Sequence, residues 1–179
     1  MTPSVPSDRP GGLVIRPVRD DEQQSAGALV ESAYAEGGLL DNDRGYGSHV
    51  RDVPGRASIV PVLVAERGGA IVGSVTICPH GSGFSELAGP DEVEFRFLGV
   101  SPDAQGTGVA RALVGAVEDY AAAHGLARLV LCVISDNVAA EAVYQRMGFE
   151  RMPERDWWPM PQVHLRAWSR PVPPPPVPR

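Results

Sequence analysis

Between Val100 and Leu113 the chain reads VSPDAQGTGVARAL, a set of residues suited to holding phosphate. An apolar run from Val93 to Val100 enters a loop carrying Gly106 and Gly108, and a helix-like pattern leaves it. The first amides of a helix have no partner inside it, and the helix dipole adds positive potential there. Glycine lets those amides approach an anion with no Cβ in the way. This order of strand, glycine loop and helix start points to a cofactor that carries a diphosphate. Other side chains that could do chemistry are Glu92 and Glu94 before the loop, Asn137 and Tyr144 after it, and His80 in a glycine-rich stretch. The four histidines, His49, His80, His124 and His164, show no metal-ligand spacing, and no metal is expected.

The elements that must position these residues follow from periodicity. Residues 13–18 read as a short strand, and Asp20 or Asp21 caps a helix to about Glu36 with Ala28, Leu29, Ala33 and Tyr34 facing inward. Residues 39–58 are irregular, with a short helix near 46–53. Residues 62–66 and 70–78 are β-rich runs around Arg67-Gly68-Gly69, a hairpin signal. Residues 79–90 read as a flexible glycine-rich loop before the strand 93–100. The helix after the glycine loop carries Ala110, Leu113, Val114, Val117 and Ala121 on one face, and Gly125 ends it. The unbroken apolar run 129–134 is a strand covered on both faces. A helix over 138–147 follows, with Ala140, Val143, Tyr144 and Met147 on one side and Gly148 at its end. Residues 149–152 and 162–169 make a last antiparallel pair joined by a loop containing Trp157-Trp158-Pro159.

Composition bounds the function. The chain has 179 residues, 43% hydrophobic and 21% charged, as in an ordinary globular domain with a full core. One domain is expected over 13–170, between a disordered segment at 1–12 and a disordered proline-rich tail at 171–179. A net charge of −6 argues against a nucleic-acid binder and tilts towards cationic partners. All 16 basic residues are arginine, so acylation of the chain's own lysines is excluded. Cys78 and Cys132 lie inside apolar runs and read as buried free thiols. With neither a leader pattern nor a membrane-length run, a cytoplasmic protein with no membrane partner is expected, as monomer or homodimer.

Three phosphate-binding schemes compete for the loop. A P-loop needs Gly-Lys-Ser/Thr, and the chain has no lysine. A dinucleotide fingerprint needs glycine where Arg111 stands, and its acidic residue would be Asp136, later than that pattern expects. The third scheme has Gln105, Gly108 and Ala110, continued by Arg111-Ala112-Leu113, and then Asn137, Tyr144, Gly148 and Phe149 at fixed spacing. In these two motifs and their order the chain resembles the GNAT superfamily of acyl-CoA N-acyltransferases, from Leu13 to Ser169. The resemblance implies an α/β (α+β) fold, a mixed central sheet of about six to seven strands flanked by about four helices.

It implies acetyl-CoA as cosubstrate, with the diphosphate on Gln105, Gly106, Thr107, Gly108, Val109, Ala110 and Arg111. Thr107 stands where the family often has a basic residue. By the same resemblance Leu98, Gly99 and Val100 pair with the pantetheine arm and polarise the thioester carbonyl, and Gly99 would mark a bulge. Asn137 and Tyr144, one heptad apart on nearly one helix face, would contact the arm and the sulfur. Transfer of a proton from a phenol (about 10) to a thiolate (about 8.5) is uphill by about 2 kcal/mol, so Tyr144 reads as a leaving-group stabiliser. Glu94 alternates onto the strand face of Leu98 and is the candidate general base, with Glu92 in reserve and His80 as an alternative. An ion pair between Glu94 and Arg96 would make it a poorer base. The ribosomal-protein alanine acetyltransferases carry a glutamate where this chain has Cys132. The expected activity is transfer of an acetyl group to a primary amine of a small molecule or peptide by direct attack. The alternatives are a non-catalytic acyl-CoA-binding module and a nucleotide-dependent oxidoreductase.

Overall fold

Residues 12–41 and 45–174 are described by the structure, a computed structural model. The segment expected to be disordered at 1–12 lies outside them except for Gly12, as do residues 175–179 of the tail. The strands are β1 (Leu13–Pro17), β2 (Val62–Arg67), β3 (Ala70–Pro79), β4 (Glu92–Val100), β5 (Arg128–Ile134), β6 (Glu150–Arg151), β7 (Trp157–Met160) and β8 (Val163–Pro171). The helices are α1 (Gln23–Glu36), α2 (Tyr46–Arg51), α3 (Val53–Ala57), α4 (Val109–Ala123) and α5 (Val138–Arg146). The strand order is β1-β2-β3-β4-β5-β8-β6, with β7 paired to β8. The mixed α/β sheet fold is as the sequence implies, with eight strands among the described residues rather than six to seven and five helices rather than four. The extra strand is β7, in the stretch read as a tryptophan loop. Trp157 pairs with Leu165 and Met160 with Val163 across an irregularity that accommodates Pro159.

The chain divides into two compact units, Met1–Ile77 with Phe97–Ala116, and Cys78–Arg96 with Val117–Arg179. In the first, β1 and β2 run antiparallel from Leu13↔Arg67 to Pro17↔Leu63. The β2–β3 hairpin turns on Gly68 and Gly69, with φ of 58° and 81°, the left-handed pair that a two-residue turn needs. Helix α1 buries Ala26, Gly27 and Val30, and of the stripe expected at Ala28, Leu29, Ala33 and Tyr34, Leu29 and Tyr34 pack partly buried against the core cluster around Val30. Gly27, absent from the expected face, is buried through close approach: a Cβ on it would stand 2.0 Å from the Arg51 carbonyl oxygen of α2. Asp52 caps α3 by accepting from the Gly55 amide at 2.9 Å. Val30, Val50 and Phe97 form one buried cluster, and Ala26, Val53, Val62 and Val64 another.

In the second unit β4 and β5 pair in parallel over Glu92–Glu94 and Arg128–Val130. Strand β8 lies antiparallel to β5 from Arg128↔Pro171 to Ile134↔Leu165. Ala88, Val130, Met152 and Ala167 fill this part of the core. Helix α5 ends at Arg146, followed by Gly148 at φ 85°. Of its expected inward face, Tyr144 and Met147 are buried, while Ala140 and Val143 are only partly so.

Candidate active site

The end of β4 departs from regular strand geometry at Phe97, whose φ is +55°. A non-glycine residue there costs about 1–3 kcal/mol, so its surroundings must hold it. Arg56, almost wholly buried, lies over the Phe97 ring at 4.0 Å and donates to the carbonyls of His49 (2.7 Å) and Val50 (2.8 Å) and to Thr76 Oγ1 (3.1 Å). His49 meets the ring edge-on at 5.4 Å. The irregular residue is thus Phe97 and not Gly99, as sequence suggested. Gly99 is glycine because a Cβ there would come within 3.0 Å of the Val30 Cα in α1. The distortion also breaks the alternation used to match the faces of Glu94 and Leu98, since strict period two does not run through a left-handed residue.

Beyond Leu98, Gly99 and Val100 a 3-10 turn, Pro102–Ala104, leads to Gln105, Gly106, Thr107 and Gly108, all exposed. Gly106 and Gly108 have φ of 73° and 88°, which exclude side chains at low cost, and a Cβ at either would meet nothing within 4 Å. The space beside both is open. The Gly108 carbonyl accepts from the Ala112 amide at 3.0 Å, the first bond of α4, so the amides of Val109, Ala110 and Arg111 precede the helical ladder. Val109, Ala112, Leu113, Val114, Val117 and Ala121 anchor the helix, with Ala110 half-buried. Thr107 Oγ1 donates to the Ala104 carbonyl at 2.5 Å and accepts from Arg67 Nη1 at 3.0 Å. Sequence reading missed Arg67, which reaches the loop from 40 positions away.

In the other unit Glu94 is 1% exposed. Its Oε2 accepts from the amides of Glu86 (2.7 Å) and Leu87 (2.9 Å) and from Ser85 Oγ (3.0 Å). Burial raises its pKa, against the pull of those donors and of Arg96. Arg96 pairs with Glu86 at 3.3 Å and donates to the Phe84 carbonyl at 2.9 Å. Glu92 behaves differently. Burial pushes its pKa up, but bonds from Arg155 (3.0 Å) and the Gly89 amide (2.8 Å) outweigh this and hold it below the usual range. These contacts, with His80 Nδ1 on the Ala88 carbonyl at 2.7 Å, strap down the loop that sequence read as flexible.

Tyr144 is buried against Phe95 (centroids 5.9 Å apart) and Phe149 (5.8 Å). Burial pushes its phenol above the ordinary tyrosine range. Phe95 follows Glu94 in β4, so the Tyr144 ring and the Glu94 carboxylate lie on opposite faces of that strand. Asn137 is not on the face of α5. It is the N-cap, its Oδ1 accepting from the Ala140 amide at 3.1 Å. Cys132 and Cys78 are free thiols, Cys78 buried and Cys132 partly so, and burial pushes the Cys132 thiol up to about 12. Trp158 is exposed and stacks on His164 at 4.2 Å, while Asp156 takes a bidentate bond from Arg151 at 2.7 and 2.6 Å. Among the described residues no group of three His, Cys, Asp or Glu side chains could hold a metal, and no helix is long and apolar enough to cross a membrane.

The family model described as Acetyltransferase (GNAT) family matches residues 31–149. A mycothiol acetyltransferase of Streptomyces bingchenggensis is 34% identical over 147 residues, 78% of this chain and 44% of that protein. The chain spans less than half the length of the curated mycothiol acetyltransferases it matches. A GNAT-family acetyltransferase from Staphylococcus aureus has a TM-score of 0.69 at 13% identity, covering 89% of this chain and 99% of that one. A Salmonella typhimurium structure containing acetyl-CoA has a TM-score of 0.63 at 21% identity, covering 93% and 98%. At these identities the two structures speak for the fold.

Proposed function

The chain belongs to the acetyltransferase (GNAT) family, and on that footing we propose that residues 13–170 transfer the acetyl group of acetyl-CoA to a primary amine. The observation that carries this reading is the loop at 105–108. Its two left-handed glycines have open space beside them, and it delivers the unladdered amides of α4 directly after β4. Such amides accept a diphosphate, each charge-assisted bond contributing about 1.5–3 kcal/mol. In this proposal Gln105, Gly106, Thr107, Gly108, Val109, Ala110 and Arg111 hold the diphosphate. Leu98, Gly99 and Val100 offer backbone groups to the pantetheine arm and the thioester carbonyl. Asn137 reaches the arm through its amide NH2, its Oδ1 serving as the helix cap.

The reaction is a direct displacement, in which the amine nitrogen bonds to the carbonyl carbon and the C–S bond breaks. Glu94 takes the proton of the attacking amine. Its raised pKa makes it a better base than Glu92, whose pKa is lowered. A lysine-like amine needs about 4–5 kcal/mol to lose its proton at neutral pH and an α-amine about 1–1.5, so the base matters most for the former. Tyr144 stays protonated and stabilises the departing thiolate by a hydrogen bond.

The relatives' name puts small thiol-bearing amines first among acceptors to test, beside peptide N-termini, lysine peptides and polyamines. The experiment incubates the chain with labelled acetyl-CoA and this panel and identifies products by mass. An N-acetylated amine supports the proposal. Tight acetyl-CoA binding with no acetylated amine would replace it with a binding module. A melting temperature raised by NAD(P) and not by acetyl-CoA would replace it with the oxidoreductase reading.

A further inference from the structure

Resting on the acetyl-CoA reading above, we infer that Arg67 supplies a cation to the diphosphate loop in addition to Arg111, in place of the basic side chain that Thr107 lacks. A chain of net charge −6 repels a polyanion at long range, so positive charge must be supplied locally. The loop itself offers a neutral threonine between its two glycines. Arg67 is the last residue of β2, and the two-residue turn behind it fixes its backbone. Its Nη1 donates to Thr107 Oγ1 at 3.0 Å. The hydroxyl's own proton goes to the Ala104 carbonyl, so the threonine receives the guanidinium on a lone pair and cancels none of its charge.

The neighbouring carboxylate does not neutralise Arg67 either. Glu66 is engaged by Arg16 at 2.5 Å, and among the described residues no carboxylate stands within ion-pair distance of Arg67. A guanidinium has five N–H donors in a planar fork that matches two phosphate oxygens, and the bond to Thr107 spends one of them. Thr107 thus acts as the tether that holds a cation from another strand over its loop. The diphosphate is the assigned target because the tether point lies between Gly106 and Gly108, beside the amides proposed to bind it.

The test measures dissociation constants of coenzyme A for the full chain and for Arg67→Gln by calorimetry. Affinity is expected to fall about 10- to 100-fold, with a shallower dependence on salt. Arg67→Lys, which keeps the charge and loses the fork, should fall between the two. Thr107→Arg in the Arg67→Gln background should regain most of the loss, which a merely structural role for Arg67 would not allow. Turnover of acetyl-pantetheine, which has no diphosphate, should be the same in wild type and Arg67→Gln. Equal coenzyme A affinity in wild type and Arg67→Gln overturns the inference and leaves the acetyl-CoA reading standing. A loss that disappears with 3′-dephospho-coenzyme A also overturns it, because Arg67 would then hold the 3′-phosphate. Failure of the wild type to bind coenzyme A at all removes both.

Discussion

Burial at Tyr144 acts in two directions. It raises the phenol's pKa, so proton transfer to a thiolate becomes still more uphill, and it removes water that would compete for the same hydrogen bond. Tyr144→Phe is therefore expected to lower kcat by about 10- to 100-fold, or about 1.4–2.7 kcal/mol, with coenzyme A affinity little changed; steady-state kinetics beside calorimetry reads both. Glu94 combines two tasks that one substitution separates. The amide oxygen of Glu94→Gln can still accept from Ser85, Glu86 and Leu87, so the loop stays strapped while the titrating group is gone. As a base Glu94 works only when ionised, so wild-type kcat/KM should fall on acidification through a pKa above the ordinary 4.5. In Glu94→Gln that acid limb should vanish, and the activity ratio should be widest between the pKa of Glu94 and that of the amine. The same acid limb in both proteins would remove Glu94 from the proton transfer.

Elements that carry a local chemical requirement could be read from sequence, and those set by distant neighbours could not. Gly106 and Gly108 announced their loop because left-handed backbone selects glycine, and the hairpin at Gly68-Gly69 was legible for the same reason. Phe97 takes the same kind of φ with no sequence signature, because Arg56, Val30 and Val50 impose it from outside. Strand β7 hid behind Trp-Trp-Pro, a composition typical of loops that an outlying strand tolerates. Arg67 was invisible as a loop residue because the hairpin, not the spacing, brings it to Thr107. Helix α1 was placed correctly, with Leu29 and Tyr34 on the core side, but its most buried residues, Ala26, Gly27 and Val30, were not read, since Gly27 weakens a helix yet here makes room for α2. Gly27→Ala should accordingly destabilise the fold despite its better helix propensity. With a Cβ 2.0 Å from the Arg51 carbonyl oxygen, a loss of about 1–3 kcal/mol is expected in chemical denaturation, and a gain would contradict this packing.

Over the whole molecule carboxylates held below their ordinary range set the acid limit of stability, Glu22 in the first unit and Glu92 and Asp156 in the second. In the first, the bidentate bond from Arg16 at 2.8 and 2.6 Å holds Glu22 at about 2, down from an ordinary 4.5. In the second, Arg151 lowers Asp156 in the same way. A carboxylate whose folded pKa is depressed contributes stability above its unfolded pKa and loses it as pH falls towards the folded one. For Glu22 that window runs from about 4.5 down to about 2. Glu22→Gln should lower stability at neutral pH by on the order of 1–2 kcal/mol after solvent screening, and the difference from wild type should close across that window. Denaturant titrations at a series of pH values would show it, and a constant gap down to pH 2 would refute the assignment.

Neither thiol of the folded chain is ready to react. With Cys78 enclosed and Cys132 pushed up to about 12, roughly one Cys132 in ten thousand is thiolate at pH 8. A disulfide dye counting freed coenzyme A therefore works against a silent protein background, and colour rising before acetyl-CoA is added marks chains that have come open.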